Sequence, residues 1–175
     1  MDTVLVQEEK MEAEKIEHQT GKKTILFVCT GNTCRSPMAA ALYNARYTDG
    51  ETVARSAGLA ADGSGISQNA VLALLHAGIR ATPDNDYLSH VSHTVTEDDV
   101  AEAEMVIGIS SRHALQLMLT FPAYATKITA LPMDIADPYG GDEAVYERCL
   151  AQIDGALGKM FLPTNGDEGD EHATL

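Results

Sequence analysis

Short apolar runs alternate along the chain with longer segments in which apolar residues recur every three or four positions. The runs are typical of strands buried on both faces, and they lie at residues 24–29, 52–56, 105–109 and 127–131. The longer segments predict helices, which begin near Ser36, Ser67, Thr96, Ser110 and Asp142. Because strands and helices alternate, we expect an α/β fold in which a four-stranded parallel sheet is flanked by helices on both faces.

The connection from the first strand to the first helix runs from Cys29 to Ser36. Pro37 and an alanine run follow, which predicts Ser36 as the N-cap and Pro37 as the first helical residue. In parallel sheets, ligands bind beyond the carboxyl ends of the strands. The end of the first strand, at Cys29, is therefore the first place to expect a binding site.

Composition narrows the class of protein. The 175 residues, 45% of them hydrophobic, are enough for one domain with a core. No apolar run approaches the ~18 residues of a membrane span, and the N-terminus lacks the features of a secretion signal. Three cysteines exclude a disulfide scaffold, so we expect a cytoplasmic protein. The net charge of −14 disfavours nucleic acid and anionic lipid as partners.

The charge is concentrated at the two ends of the chain. Residues 1–20 hold six acids and two bases, and residues 164–175 hold four acids and no lysine or arginine. We expect an acidic N-terminal extension over residues 1–22, which can form a frayed helix, a folded domain over 23–162 and a disordered acidic tail over 163–175. Solubility, without a specific partner, is the simplest role for these tails.

The candidate chemistry lies in one loop, Cys29-Thr30-Gly31-Asn32-Thr33-Cys34-Arg35-Ser36. A short loop before a helix N-terminus can turn its backbone N–H groups inward, so that they form a cradle for an anion. Gly31 permits backbone geometry that other residues resist, and Asn32 tolerates the left-handed region. The loop therefore predicts a phosphate-binding site after the first strand.

Three side chains of this loop suit phosphate chemistry. A helix N-terminus and a neighbouring arginine favour the thiolate form of Cys29, which is a nucleophile. Arg35 can grip two phosphate oxygens, and the Ser36 hydroxyl can donate to the sulfur. A cysteine that ends an apolar strand is usually just a small buried hydrophobe, but the whole pattern favours catalysis. The loop is not an ATP-type phosphate loop, because no Gly-Lys-[Ser/Thr] ends it. The sequence also lacks a dinucleotide fingerprint, because Gly63-Ser64-Gly65 is not followed by the third glycine that this motif requires.

The run VCTGNTCRSPM at residues 28–38 resembles the signature of the low-molecular-weight protein phosphatases, Cys-X5-Arg-Ser. Further matches follow in family order, at Ser56-Ala57-Gly58, Ser89-His90-Val91 and Asp137-Pro138-Tyr139-Gly140-Gly141. The resemblance covers roughly residues 23–162. It implies a cysteine-dependent phosphatase that hydrolyses phosphorylated side chains of proteins through a phosphocysteine and releases inorganic phosphate, without a metal or other cofactor.

The resemblance also implies a role for each site residue. Cys29, Arg35 and Asp137 are implied to be catalytic, with Asp137 as general acid and then general base, and Asp134 is the alternative acid. The residues implied to bind the substrate are Thr30, Gly31, Asn32, Thr33, Cys34, Ser36 and Tyr139.

Ser56 and His90 are implied to support Asn32 through hydrogen bonds. His90 and His93 are spaced for a metal, but no cysteine or further histidine lies nearby in the sequence, so we expect no metal site there. A surface or structural histidine is the better interpretation of His93.

The other two cysteines have different expected roles. Cys34 either forms a reversible disulfide with Cys29, as the resemblance implies, or is a passive small side chain, and both alternatives stay open. Cys149 is expected to lie in the core.

The substrate class depends on a few positions. Family members act on phosphotyrosine or phosphoarginine, and the arsenate reductases among their relatives need two further cysteines, whereas residues 35–148 contain none. Thr33, in a position where many tyrosine-directed members carry a larger aliphatic residue, and Gly140-Gly141 after Tyr139 resemble the bacterial protein-arginine phosphatases. Phosphoarginine is therefore favoured, with phosphotyrosine as the alternative and an inactive phosphoprotein-binding module as a second alternative.

Overall fold

The computed structural model describes residues 21–162. Within this range the chain forms four strands, β1 (Lys23–Cys29), β2 (Thr52–Gly58), β3 (Met105–Gly108) and β4 (Ile128–Ala130). It also forms five α-helices, α1 (Arg35–Arg46), α2 (Gln68–His76), α3 (Glu97–Glu102), α4 (Ser111–Thr120) and α5 (Glu143–Phe161). Two 3₁₀ turns, Tyr87–Ser89 and Pro122–Lys127, complete the regular structure. The expected N-terminal helix and C-terminal tail lie outside the described residues.

The four strands form one parallel sheet in the order β2-β1-β3-β4. At the carboxyl edge of the sheet, Val28 of β1 pairs with Ala57 on one side and with Gly108 on the other. The chain leaves β1 toward β2 but leaves β3 toward β4, so the loops after β1 and β3 diverge. Ligands bind in the crevice that such a divergence opens, and Cys29 lies at this crevice.

Alternating side chains of β1 serve two cores. Ile25 and Phe27 pack on one face with α1, α2 and α5, and Leu26 and Val28 pack on the other face with α3 and α4. The buried residues of the first core include Met38, Leu42, Leu74, Ile153 and Leu157, and those of the second include Val100, Val106 and Leu117. The expected α/β architecture with helices on both faces is confirmed.

The outer edge of β2 is closed by polar side chains. The Asn44 side chain donates from Nδ2 to the Ala54 carbonyl at 3.0 Å and accepts from the Ala54 N–H at 2.7 Å. Two residues earlier in β2, the Thr52 N–H donates to the Asp49 carboxylate, and the Thr52 carbonyl accepts from the Thr48 hydroxyl. Side chains thus replace a missing neighbouring strand at these two positions.

The start of α1 differs from the expectation. The helix begins at Arg35, its N-cap is Cys34 without a side-chain cap hydrogen bond, and Pro37 is the third helical residue. The expectation that Ser36 is the N-cap is therefore wrong, because the Ser36 hydroxyl bonds to groups of the loop and of β2 instead. None of the helices within residues 21–162 is long and apolar enough to cross a membrane.

Candidate active site

The loop between β1 and α1 turns at Asn32, which has a φ of 56°. The side chain of Asn32 holds this turn: Nδ2 donates to Ser36 Oγ at 2.9 Å and to Ser56 Oγ at 3.0 Å, and Oδ1 accepts from the His93 N–H at 3.1 Å. Gly31 lies outside the left-handed region. Of the two residues that the sequence marks for unusual backbone geometry, it is Asn32 that makes the left-handed step.

The thiol of Cys29 lies beneath this turn. Sγ accepts from the backbone N–H of Asn32 at 3.3 Å and lies 3.0 Å from Ser36 Oγ. Ser36 Oγ also donates to the Ala57 carbonyl at 3.3 Å. The loop therefore places a backbone N–H and a hydroxyl group within hydrogen-bond distance of the Cys29 sulfur.

The guanidinium of Arg35 is turned inward, since the residue is only 7% exposed. Nη1 donates to the Ile135 carbonyl at 3.1 Å, and Nη2 forms an ion pair with Asp137 Oδ2 at 3.0 Å. Nε is buried and has no hydrogen-bond partner among residues 21–162. An unpaired buried donor is costly unless a ligand or a water molecule accepts from it.

The two candidate acids occupy different positions. The Asp137 carboxylate lines the cleft above the loop, and its Oδ1 accepts from the Tyr139 N–H at 3.2 Å. Asp134 Oδ1 accepts from the N–H and the hydroxyl of Ser111 at 2.8 and 2.9 Å. These hydrogen bonds lower the pKa of Asp134, so this carboxylate is an anchor at the start of α4. Asp137 is the better placed of the two.

A cleft of about 280 Å³ opens over the loop. Residues 29–35 line it together with Ala60, Asp62, Asp137 and Tyr139, and Tyr139 is 80% exposed at its edge. A larger cleft of about 390 Å³ lies against α1 and β2 but contains no residue of the segment 29–36. The smaller cleft is therefore the candidate active site.

The expected supporting residues lie around Asn32. His90 Nε2 donates to the Asn32 carbonyl at 2.7 Å, and burial lowers the pKa of His90. The His93 side chain is half exposed and lies 3.3 Å from Asp99, so it is the backbone of His93 that contacts the loop. Both His90 and Ser56 bond to Asn32, and their supporting role in catalysis stays a prediction.

The two remaining cysteines are buried and free. Cys34 Sγ lies 3.3 Å from the hydroxyl of Tyr146 on α5. Burial and this hydrogen bond raise the pKa of Tyr146 to about 12. Cys149 lies in the core, as expected, and burial raises its pKa to about 12. Tyr146 carries no sequence signal for this contact, because 112 residues separate it from Cys34.

His113 is a further residue at the site that sequence reasoning missed. Its ring bonds to Thr30 of the loop at 3.0 Å and to Ser110 at 2.8 Å. The Thr30 contact spans 83 positions of the chain. Only the Ser110-X-X-His113 spacing at a helix start gives a local signal, and that spacing predicts helix capping rather than a role at the loop.

Within residues 21–162, one group of potential metal ligands converges: His76 of α2 with Glu143 and Glu147 of α5. His76 Nδ1 lies 2.9 Å from Glu143 and 2.8 Å from Glu147. These ion pairs join the end of α2 to the start of α5, where the helix dipoles favour these charges. The expectation that catalysis needs no metal stays a prediction.

The chain is similar in sequence and in fold to several known proteins. The sequence model of the family "Low molecular weight phosphotyrosine protein phosphatase" matches residues 24–168. A protein-arginine-phosphatase of Geobacillus stearothermophilus is 34% identical over 143 residues, which cover 78% of this chain and 92% of the relative. An arsenate reductase of Brevibacillus brevis is 32% identical over 143 residues, covering 82% and 96%. Among solved structures, the low-molecular-weight protein tyrosine phosphatase from T. tengcongensis superposes with a TM-score of 0.71 at 34% identity, covering 79% of this chain and 97% of that one.

Together, the fold, the site and these similarities define a cysteine-dependent protein phosphatase. An enzyme of this class takes a phosphorylated protein as substrate and releases phosphate. The chain belongs to the low-molecular-weight phosphotyrosine protein phosphatase family.

Proposed function

We propose that the protein is a protein-arginine phosphatase whose catalytic residues are Cys29, Arg35 and Asp137. The arrangement of Arg35 carries most weight. Its guanidinium is buried beside the loop, it contacts Asp137 at 3.0 Å, and its Nε is an unpaired donor among the described residues. Such a group fits the equatorial oxygens of a phosphoryl group held over the Cys29 thiolate.

In the first step, the phosphate enters the cradle and takes over donors of Arg35 and of the loop N–H groups. In this step the Asp137 carboxyl acts as the general acid and carries the proton for the leaving group. Cys29 Sγ attacks phosphorus in line, and the bond from phosphorus to the leaving nitrogen or oxygen breaks. The leaving atom keeps the electron pair and takes the proton of Asp137.

In the second step, water attacks the phosphocysteine. The Asp137 carboxylate accepts the proton of this water while the sulfur–phosphorus bond breaks. The Asn32 N–H stabilises the departing thiolate, and so does the Ser36 hydroxyl once it turns from the Ala57 carbonyl to donate to the sulfur. Inorganic phosphate leaves, and the enzyme returns to its starting form without a cofactor.

Three features support phosphoarginine over phosphotyrosine. The half-buried Thr33 offers a hydroxyl at the cleft, and the carboxylates of Asp62 and Asp137 line the same cleft. A guanidinium has N–H donors that need such acceptors, whereas a phenol gains from apolar walls on both faces. Tyr139 supplies one aromatic group, which can stack on either leaving group, and Gly140 follows it without a second aromatic side chain. The chain's similarity to a protein-arginine-phosphatase agrees with this preference.

The test compares hydrolysis rates for a phosphoarginine peptide and a phosphotyrosine peptide of the same sequence. We expect the wild-type enzyme to prefer phosphoarginine, and Thr33→Ile to shift the ratio of the two kcat/KM values toward phosphotyrosine by at least tenfold. Thr33→Ser is the matched control, because it keeps the hydroxyl and should keep the preference. A ratio that Thr33→Ile leaves unchanged would refute the specificity argument.

The inactive binding module is tested with the same proteins. Cys29→Ser should abolish turnover of both peptides and of an aryl phosphate, because it removes the nucleophile. The absence of turnover in the wild type, together with equal binding of phosphopeptide by wild type and Cys29→Ser, would instead support a binding module. The net charge of −14 supports a protein substrate rather than a nucleic-acid partner.

A further inference from the structure

His113 joins the two strand ends that flank the active-site crevice. It is the third residue of α4, which follows β3, and it is 6% exposed. Its Nε2 lies 3.0 Å from the hydroxyl of Thr30, the first residue after β1. Its Nδ1 lies 2.8 Å from the hydroxyl of Ser110, the N-cap of α4. A chain of hydrogen bonds thus runs from the N-cap of α4 to the residue next to the nucleophile.

The imidazole of His113 is neutral near pH 7. Burial lowers its pKa to about 4, and the nearby positive charge of Arg35 acts in the same direction. Arg112 also lowers the pKa, whereas Asp137 and Asp134 oppose the shift. A neutral ring has one nitrogen that donates and one that accepts. It can therefore satisfy both hydroxyls and adds no positive charge that would compete with Arg35 for the phosphate.

Thr30 is tethered on both its side chain and its backbone. Its carbonyl accepts from the Ala60 N–H at 2.9 Å, and its hydroxyl bonds to His113. Because Thr30 directly follows Cys29, these two tethers determine how the loop leaves β1. Among the described residues, His113 is the side-chain partner of the Thr30 hydroxyl.

We infer that His113 is a positioning residue of the phosphatase reaction, which acts through the Thr30 hydroxyl to hold the loop in the geometry that in-line attack by Cys29 requires. The small deviations that loss of such a support allows lower kcat more than they change substrate binding. This inference rests on the proposed role of Cys29, but not on the preference for phosphoarginine.

The test is a double-mutant cycle on hydrolysis of an aryl phosphate. His113→Leu replaces the ring by an apolar side chain, and Thr30→Val replaces the hydroxyl by a methyl group of similar size. We expect each single variant to lower kcat about tenfold, as for the loss of one hydrogen bond, with KM changed less. The double variant should be no slower than either single one, because both substitutions remove the same contact.

Two further variants serve as controls. Thr30→Ser keeps the hydroxyl and should recover most of the kcat that Thr30→Val loses, and His76→Leu, on the surface at the end of α2, should match the wild type. If His113→Leu does not fold, Thr30→Val against Thr30→Ser still decides, because Thr30 is exposed. Equal activity of those two variants overturns the inference. So do losses that multiply to about a hundredfold in the double variant, or full activity of a folded His113→Leu.

The proposed function fails in a different way. If Cys29→Ser hydrolyses the aryl phosphate as fast as the wild type, the role of Cys29 itself is wrong. If Cys29→Ser is inactive and the cycle shows no coupling, only the role of His113 is wrong.

Discussion

Asn32 combines a left-handed backbone with an amide side chain that contacts three other parts of the chain. Neither property alone serves the site, because the turn has to be both allowed and held in place. Glycine would tolerate the backbone but supply no amide, whereas alanine would lack the amide and cost about 1–2 kcal/mol in the left-handed region.

We therefore predict that Asn32→Gly and Asn32→Ala both lower kcat by at least tenfold, because both lose the hydrogen bonds to Ser36 and Ser56. Asn32→Ala should also be less stable than Asn32→Gly by about 1 kcal/mol. Urea unfolding and aryl phosphate hydrolysis measure the two effects. Wild-type activity in Asn32→Gly would show that the side-chain contacts are dispensable.

His113 makes stability depend on pH. The unfolded chain binds a proton on this histidine near pH 6.5, whereas the folded chain binds it only near pH 4. Between these values the unfolded state holds more protons, so the contribution of this group is fully present above pH 6.5 and is lost as the pH falls toward 4. From pH 7 to pH 5 the expected loss is about 2 kcal/mol.

The prediction is tested by urea unfolding of the wild type and of His113→Asn at pH 7 and pH 5. The wild type should lose about 2 kcal/mol more than the variant over this interval, because asparagine does not titrate. The pKa of His76 changes in the opposite direction, because its carboxylate partners raise it. Since His76 is present in both proteins, its effect cancels in the comparison. Identical pH dependence of the two proteins would contradict the assignment of a neutral His113.

At the level of the elements, the end of β2 presses against the loop after β1. A Cβ on Gly58 would lie 2.7 Å from the Thr30 carbonyl and 3.0 Å from the Asn32 Cβ. Both neighbours are parts of a constrained turn that cannot move without moving Cys29. The loop can therefore lie this close to the end of β2 only because residue 58 is a glycine and has no side chain.

Gly58→Ala should lower kcat by at least tenfold and destabilise the fold by about 1–3 kcal/mol, because the added methyl group overpacks the loop. Gly155→Ala is the control within α5, where a Cβ meets nothing within 4 Å. It should leave activity unchanged and raise stability by up to about 1 kcal/mol, as expected for glycine in an exposed helix. Full activity of Gly58→Ala would show that the loop tolerates displacement.

The positions of the four strands were predictable, because each strand is a short apolar run that can be recognised from its own segment of the sequence. The β1 run was expected from residue 24 and begins at Lys23, and the expected run at 52–56 extends to Gly58. The strand order was not predictable, because it depends on which faces pack together and not on any one segment. The start of α1 was wrong for a similar reason: Ser36 has the local pattern of an N-cap, but its hydroxyl bonds to Asn32 and Ala57.

The loop residues of the site were predictable because they are contiguous. Cys29, Arg35 and the residues between them form one motif that a single stretch of sequence displays. The contacts of His113 and Tyr146 with the loop were not predictable, because each residue reaches the loop from a helix that is distant in the sequence. The one local signal is the bond between His113 and Ser110, which indicates helix capping. Such contacts become visible only when tertiary packing is known.

For the whole molecule, we propose that residues 23–162 carry the activity and that the acidic ends serve other purposes. The residues of the candidate site and their hydrogen-bond partners all lie between Cys29 and Tyr146. A chain of residues 21–162 should therefore keep the kcat/KM of the full chain on an aryl phosphate within about twofold. A larger loss, in a truncated chain that unfolds at the same urea concentration, would assign the ends a direct part in catalysis.

The closure of β2 by Asn44 has a consequence for molecules meeting in a concentrated solution. An open strand edge offers unsatisfied amides and carbonyls on which another polypeptide can assemble, and this is how fibrils grow. At Ala54 both groups are already engaged by one side chain of the same molecule. An incoming strand would first have to displace that amide, so this side of the sheet resists extension by a second copy.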